Sequence, residues 1–352
     1  MKNEERLQIV VVGGGSWGTA LAHVLRRKGH EVTLLVRDAA LACHLRQGEN
    51  PRYLPGLPLA PGLAATTDPA CLAGAGITLL ALPCQVVRAW LRGQGALLDP
   101  STLVVNAAKG LEQGSGTRVE QIVAQELPHL AARYAILSGP SFAVEVVRGQ
   151  PTAVVLGCRD EALGVRLRAA FSSPAFRCYS SSDVAGVELG GALKNVIAIA
   201  AGLSDGLGFG GNTRAALITR GLAEMSRVGV ALGAQAHTFM GLSGLGDLTL
   251  TCTGDLSRNR QVGLRLGRGE SLAHITASLG MVAEGVKTAN AVYVCATRHN
   301  LSAPICAAMH DIMHQGRDPR DAVNALMTRA LKNEWQMDEW HTDERQTDEW
   351  RT

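Results

Sequence analysis

The stretch Gly13-Gly14-Gly15-Ser16-Trp17-Gly18 follows the apolar run 9–12 (IVVV) and precedes a segment in which Ala20, Leu21, Val24 and Leu25 recur at helical spacing. Strand, glycine turn and helix in that order restrict what the chain can fold into. In a dinucleotide-binding unit Gly13 makes the tight turn, Gly15 lets the backbone approach a pyrophosphate, and Gly18 lets the helix pack against the strand. The helix start, with Ser16 and Trp17, presents free N–H groups to phosphate. A lone G-x-G-x-x-G among 40 glycines is weak by itself, and a plain βα turn is the alternative. The flanking strand and helix favour the dinucleotide reading, which names a cofactor class and leaves the reaction open.

The following segments extend the alternation. Strands are expected at 31–36 (EVTLLV), 77–82 (ITLLAL), 102–106 (TLVVN), 134–137, 153–157 and 176–180, with helices after the first strand, at 86–91 and at 160–170. This pattern implies an α/β, Rossmann-like, doubly wound parallel sheet. From residue 183 onward the periodicity is helical, at 186–201, 213–232, 260–268, 283–297 and 321–332, so an all-helical C-terminal domain is expected. A length of 352 residues also favours two domains. The boundaries read as 1–182 for the dinucleotide-binding domain and 183–333 for the helical substrate domain. Residues 334–352, where Asp338-Glu339-Trp340 is echoed by Asp348-Glu349-Trp350, read as a near-repetitive, mobile tail.

Several functions are disfavoured by composition. A net charge of +3 with no long basic block speaks against nucleic-acid binding. The eight cysteines are scattered, without C-x-x-C, which argues for reduced thiols and no metal site. The charged start is followed by too short an apolar run for a signal peptide, and no membrane span is read, so a cytoplasmic protein is expected.

Candidate site residues fall at the carboxyl ends of strands and in the helical half. After the second strand, Arg37 could pair with the 2′-phosphate of NADP, whereas Asp38 could accept from the ribose hydroxyl of NAD. NADP(H) is the preferred reading and NAD(H) remains possible. Lys109 follows the fourth strand. Ser138-Gly139-Pro140-Ser141-Phe142-Ala143 reads as a second strand-to-helix switch, with Pro140 in the first helical turn. On the first C-terminal helix, Gly191 shares a face with Lys194 and Asn195, so the two polar groups have clearance. The turn 241–246 could hold Asp247 in place, and the polar run before Arg258 and Asn259 could grip a phosphate.

Taken in order, GGGSWGTALA, AAKGLE, LSGPSFA, ELGGALKN, GLSGLGDL, TCTGDLSRNR and VAEG resemble the bacterial type of NAD(P)-dependent sn-glycerol-3-phosphate dehydrogenase over roughly residues 7 to 333. The tail departs from that pattern. The resemblance implies a cytoplasmic homodimer that interconverts dihydroxyacetone phosphate and sn-glycerol 3-phosphate for glycerophospholipid synthesis. It further implies cofactor contacts at Gly13, Gly15, Ser16, Trp17, Gly18, Arg37, Lys109, Ala143, Arg258, Val282 and Glu284. Substrate contacts are implied at Lys109, Gly139, Ser141, Lys194, Asp247, Ser257, Arg258 and Asn259, with Lys194 and Asp247 catalytic. The rival readings are a related hydroxyacid dehydrogenase and a non-catalytic NADP(H) sensor.

Overall fold

The computed structural model describes residues 6–279, 283–330 and 333–334. Eight strands form one sheet in the order β3-β2-β1-β4-β5-β6-β7-β8: β1 (Gln8–Val12), β2 (Glu31–Leu35), β3 (Ala64–Thr66), β4 (Ile77–Leu80), β5 (Leu103–Asn106), β6 (Tyr134–Ser138), β7 (Thr152–Cys158) and β8 (Phe176–Ser181). All neighbours are parallel except β6 and β7, so β7 and β8 run against the rest. The connection from β6 to β7 carries one short helix, which suits a reversal better than the long crossover a parallel pair requires. Edge strand β3 is too short to announce itself by periodicity.

Helices α1 (Ser16–Arg27), α2 (Ala39–Arg46), α3 (Cys84–Gln94), α4 (Val119–Glu126), α5 (Ala143–Val147) and α6 (Glu161–Phe171) accompany the sheet. Alternate residues of β1 serve opposite faces. Ile9 and Val11 join one apolar core with Leu21, Leu25 and Leu34, whereas Val10 and Val12 join another with Leu80, Val87 and Val104. Burial on both faces explains why the strands read as continuous apolar runs. Because β1 lies between β2 and β4, the crossovers diverge there and open a crevice at the carboxyl ends of the strands, where Gly13 sits.

After β8 the described chain is helical: α7 (Val184–Gly206), α8 (Gly211–Ala231), α9 (Asp247–Thr253), α10 (Arg258–Gly267), α11 (Leu272–Leu279), α12 (Glu284–Arg298), α13 (Pro304–His314) and α14 (Pro319–Met327). Helix α7 is the axis of this half, with 184–204 buried throughout. By length and composition alone α7 could cross a bilayer, but that stretch is 100% buried inside the protein, in keeping with the reading of no membrane span. Its apolar character is that of a core helix wrapped by others.

Helices α7 and α10 meet backbone to backbone. A Cβ on Gly202 would overlap the Arg260 carbonyl, and one on Gly263 would overlap the Ile199 carbonyl. The contact fixes the start of α10 beside the middle of α7. One correction concerns Pro140, which lies in a bend ahead of α5 instead of in its first turn. Gly139, at φ +136°, has already turned the chain, and a Cβ there would stand 3.0 Å from Val154 Cα. Val282 and residues 335–352, including all but the first residue of the expected tail, lie outside the described residues.

Candidate active site

The crevice begins at α1. Gly13 has φ +111°, and a Cβ there would stand 2.5 Å from the Ala81 carbonyl, so the turn after β1 admits no side chain. A Cβ on Gly18 would overlap the Gly13 carbonyl, which ties α1 tightly to the turn. Gly15 differs, because no atom lies within 4 Å of where its Cβ would be. It caps α1 without a side-chain hydrogen bond, and no acidic residue occupies the first turn. The start of α1 at Ser16 and Trp17 therefore has an uncompensated helix dipole next to open space at Gly15, which suits a pyrophosphate. Trp17 Nε1 is buried without a hydrogen-bond partner among the described residues. These residues fit a dinucleotide. At the far end Arg37 is exposed, while Asp38 Oδ1 accepts from the N–H groups of Ala40 and Leu41 at 2.9 and 3.3 Å. Asp38 Oδ1 thus serves as the N-cap of α2.

Lysines from both halves of the protein converge on one carboxylate. Lys109, in the loop after β5, donates to Asp247 Oδ2 at 2.7 Å and to the Gly139 carbonyl at 3.0 Å. Lys194, on α7, lies 3.0 Å from Asp247 Oδ1 and donates to Thr251 Oγ1 at 2.7 Å. The π-type turn Leu242–Gly246 delivers Asp247 as the first residue of α9, and Thr251, one helical turn on, donates to the Asp247 carbonyl at 2.6 Å. Lys194 is 5% exposed and Asp247 is 2% exposed, so the pair is largely out of water. Burial lowers the pKa of Lys194 from 10.5 to about 8, against the opposing pull of Asp247 and with the help of Lys109. The amine therefore holds its proton at neutral pH and gives it up one unit above.

The glycines of α7 allow this arrangement. A Cβ on Gly190 would stand 2.6 Å from the Ser243 carbonyl, and one on Gly191 would stand 2.7 Å from Ser138 Oγ and 3.4 Å from Lys109 Cγ. The clearance expected beside Lys194 thus admits Lys109 and the end of β6. Ser141 Oγ donates to the Gly139 carbonyl at 3.0 Å, and Ala143 opens α5 with no side-chain cap.

The remaining wall comes from α10 and α12. Ser257 caps α10, its Oγ accepting from Arg260 N. Asn259 Nδ2 donates to Asn195 Oδ1 at 2.8 Å and its Oδ1 accepts from Gly285 N at 3.0 Å, so this side chain links α7, α10 and α12. Arg258 keeps solvent access, yet the protein around it desolvates the guanidinium and lowers its pKa, with Glu284 opposing. Burial raises the pKa of Glu284, and its Oε2 has no hydrogen-bond partner among the described residues. Ser138 Oγ and Thr288 Oγ1 are likewise buried and unpartnered. Such orphaned polar atoms gathered about one cleft are what a polar ligand would satisfy. Thr251 was quoted within a motif but not singled out by sequence. Its spacing of four from Asp247 on a helix was the available signal.

A glycine loop with an uncapped helix start at the carboxyl end of β1, together with a buried lysine of lowered pKa on α7, marks a nicotinamide-dinucleotide-dependent dehydrogenase. Residues 8–164 match the pattern of the NAD-dependent glycerol-3-phosphate dehydrogenase N-terminus, and residues 183–324 match that of its C-terminus. The chain belongs to the NAD-dependent glycerol-3-phosphate dehydrogenase family. A glycerol-3-phosphate dehydrogenase (NAD(P)+) of Desulfovibrio desulfuricans is 62% identical over 331 residues, covering 94% of this chain and 99% of that protein. One from Geobacter sulfurreducens is 50% identical over 330 residues, covering 93% and 98%. The crystal structure of glycerol-3-phosphate dehydrogenase from Coxiella burnetii is similar at a TM-score of 0.87 and 39% identity, covering 92% and 99%.

Proposed function

We propose that the chain catalyses NAD(P)H-dependent reduction of dihydroxyacetone phosphate to sn-glycerol 3-phosphate, and the reverse. The observation that carries this reading is the Lys194–Asp247–Lys109 cluster, in which Lys194 and Asp247 are buried. In this reading residues 1–182 hold the nucleotide and residues 183–333 bring the catalytic lysine to it. Gly13, Gly15 and Gly18 with Ser16 and Trp17 cradle the pyrophosphate, while Ala143 and Glu284 add further cofactor contacts. The bound nicotinamide supplies or accepts the hydride at the substrate C2 carbon. The ammonium of Lys194 gives its proton to the C2 oxygen as that oxygen becomes an alkoxide, and the neutral amine takes the proton back in the oxidation. Asp247 and Thr251 fix the direction of the amine. Lys109, held by Asp247 and the Gly139 carbonyl, places a second cation at the carbonyl end.

Arg258 is suited to grip the substrate phosphate and to meet the cofactor as well. It makes no hydrogen bond or ion pair among the described residues, and it opens α10, where the dipole favours an anion. Ser257 and Asn259 hold that helix start in place, and Gly139 and Ser141 complete the substrate wall. Binding energy from the phosphate then positions the ketone. For the cofactor, exposed Arg37 beside an engaged Asp38 supports NADP(H) as the preferred form, with NAD(H) usable. Family membership supports a cytoplasmic homodimer whose product feeds glycerophospholipid synthesis. Lys194→Met is expected to abolish NADPH oxidation by dihydroxyacetone phosphate while NADPH affinity, measured by fluorescence titration, stays within a few-fold. Retained turnover would overturn the mechanism.

A further inference from the structure

Glu188 stands on α7 ahead of Lys194 and takes no part in the chemistry above, yet it is only 6% exposed. Its carboxylate is held by the dinucleotide half. Oε1 accepts from the hydroxyl of Tyr134, the first residue of β6, and from Glu120 N in the first turn of α4 at 3.0 Å. Oε2 accepts from Arg118 Nη1 at 3.1 Å. Arg118 is the N-cap of α4 and pairs as well with Glu120 at 2.7 Å, which in turn pairs with Arg159 at 2.6 Å. One buried acid of the helical half thus grips the starts of two elements in the other half.

A carboxylate so placed is a poor choice for stability alone, because desolvation offsets most of the attraction and apolar side chains of similar volume serve as well. Burial indeed raises the pKa of Glu188, with Arg118 opposing. What a buried charge can supply is register. Helix α7 is buried all round and rich in alanine and glycine, so its apolar surface does little to fix its rotation or height. Between Val184 and Ser204 its charged residues are Glu188 and Lys194. Their spacing puts them about 9 Å apart along the axis and about 240° apart around it. Glu188 is therefore drawn to α4 and β6 while Lys194 is drawn to α9, and a helix held on two sides has one rotation. The strand that starts on Glu188 also ends at the catalytic cluster: Ser138 Oγ lies against Gly191, and the next carbonyl, of Gly139, accepts from Lys109.

We propose that Glu188 is a positioning residue whose carboxylate, held by Tyr134, Arg118 and the Glu120 N–H, sets the rotation and height of α7 and so aims Lys194 at Asp247 and Thr251. The inference rests on the reading of Lys194 as proton carrier, but the surroundings of the amine can be measured without turnover.

The test compares Glu188→Asp, which keeps the charge and shortens the side chain by one methylene, with Glu188→Gln, which loses the charge and can keep both Oε1 hydrogen bonds. The readouts are kcat for dihydroxyacetone phosphate reduction and the pKa of Lys194, followed by the Cε carbon shift in lysine-labelled protein and assigned with Lys194→Arg. Glu188→Asp is expected to lower kcat about tenfold or more, since small misplacements of a reacting group are costly, with NADPH affinity within a few-fold. It should also move the Lys194 pKa by about half a unit or more, as the amine shifts against Asp247 and Cys252 of α9 and against Lys109. Glu188→Gln should retain most of kcat and leave that pKa near its original value. Should Glu188→Asp fail to fold, Tyr134→Phe, which removes one donor and keeps the charge, should move both readouts in the same sense. A variant that loses only thermal stability, with kcat and the Lys194 pKa unmoved, makes Glu188 a purely structural acid and overturns the proposal. So does a greater loss in Glu188→Gln than in Glu188→Asp, because charge and not reach would then matter. If the Lys194 pKa moves while kcat does not, the positioning stands and the proton-transfer role of Lys194 falls.

Discussion

Asp247→Asn probes the site where its charges are most strongly coupled. The carboxylate touches Lys109 at 2.7 Å and Lys194 at 3.0 Å, and it is the chief influence holding the pKa of Lys194 up against burial. With a pKa of about 8, Lys194 is mostly ammonium at neutral pH. An opposite charge at this range is worth about 1–3 pKa units, so its removal should bring Lys194 to about 5–7. Lys109, then without a neutralising partner, pushes in the same direction. If the value falls to about 6, the ammonium fraction at neutral pH drops from about nine-tenths to about one-tenth, and ketone reduction slows about tenfold from protonation alone. The sign differs between the two directions. In the proposed mechanism reduction needs the ammonium, so it should decline as pH rises through the lysine pKa, and the variant should decline one to three units earlier. Oxidation of glycerol 3-phosphate needs the neutral amine, so it rises with pH through the same value, and in the variant it should begin at lower pH. The assay is kcat in both directions from about pH 5 to about pH 9, followed by nicotinamide absorbance. Midpoints that stay in place or move upward would refute the assignment of the titrating group to Lys194.

Two further substitutions separate cofactor reading from packing. Arg37→Asp should lower the ratio of kcat/KM for NADPH to that for NADH by about 10- to 100-fold, since a charge-assisted hydrogen bond contributes about 1.5–3 kcal/mol; an unchanged ratio would show that Arg37 does not read the 2′-phosphate. Gly263→Ala should lower stability by about 1–3 kcal/mol in urea unfolding, because the new methyl overlaps the Ile199 carbonyl. Helix propensity alone would make the same change stabilising by about 1 kcal/mol, so the sign of the shift in midpoint decides between them.

Some of the site was legible because it is written locally. The glycine spacing at 13–18 fits only a tight strand-to-helix turn, and the structure has that turn with an uncapped α1. Lys194 and Asp247 stood out because two glycines inside a helix and a glycine-rich turn before an acid are costly unless close approach is needed, and both lead to Lys109 and Asp247 in contact. Other features depend on partners distant in the chain. The engagement of Asp38 is a cap, visible only once α2 is seen to begin at Ala39. Asn259, read as a phosphate ligand, spends its side-chain amide on Asn195 and Gly285. The reversal of β7 and β8 follows from a register that no periodicity records. The span-like hydropathy of α7 is resolved only by the helices packed around it.

The sequence by itself determined the tight glycine turn after β1, the succession of strands and helices, and the residue types able to carry a proton and grip a phosphate, because turn geometry and side-chain period act over a few residues. Tertiary structure alone decided that Lys194 titrates at about 8, since that value arises from burial on α7 and from Asp247 and Lys109, which reach it from other elements. It also decided that Glu188 of α7 meets Tyr134, Arg118 and Glu120 of the other half. Desolvation and through-space charge depend on everything that surrounds a group, and only the assembled fold supplies those surroundings.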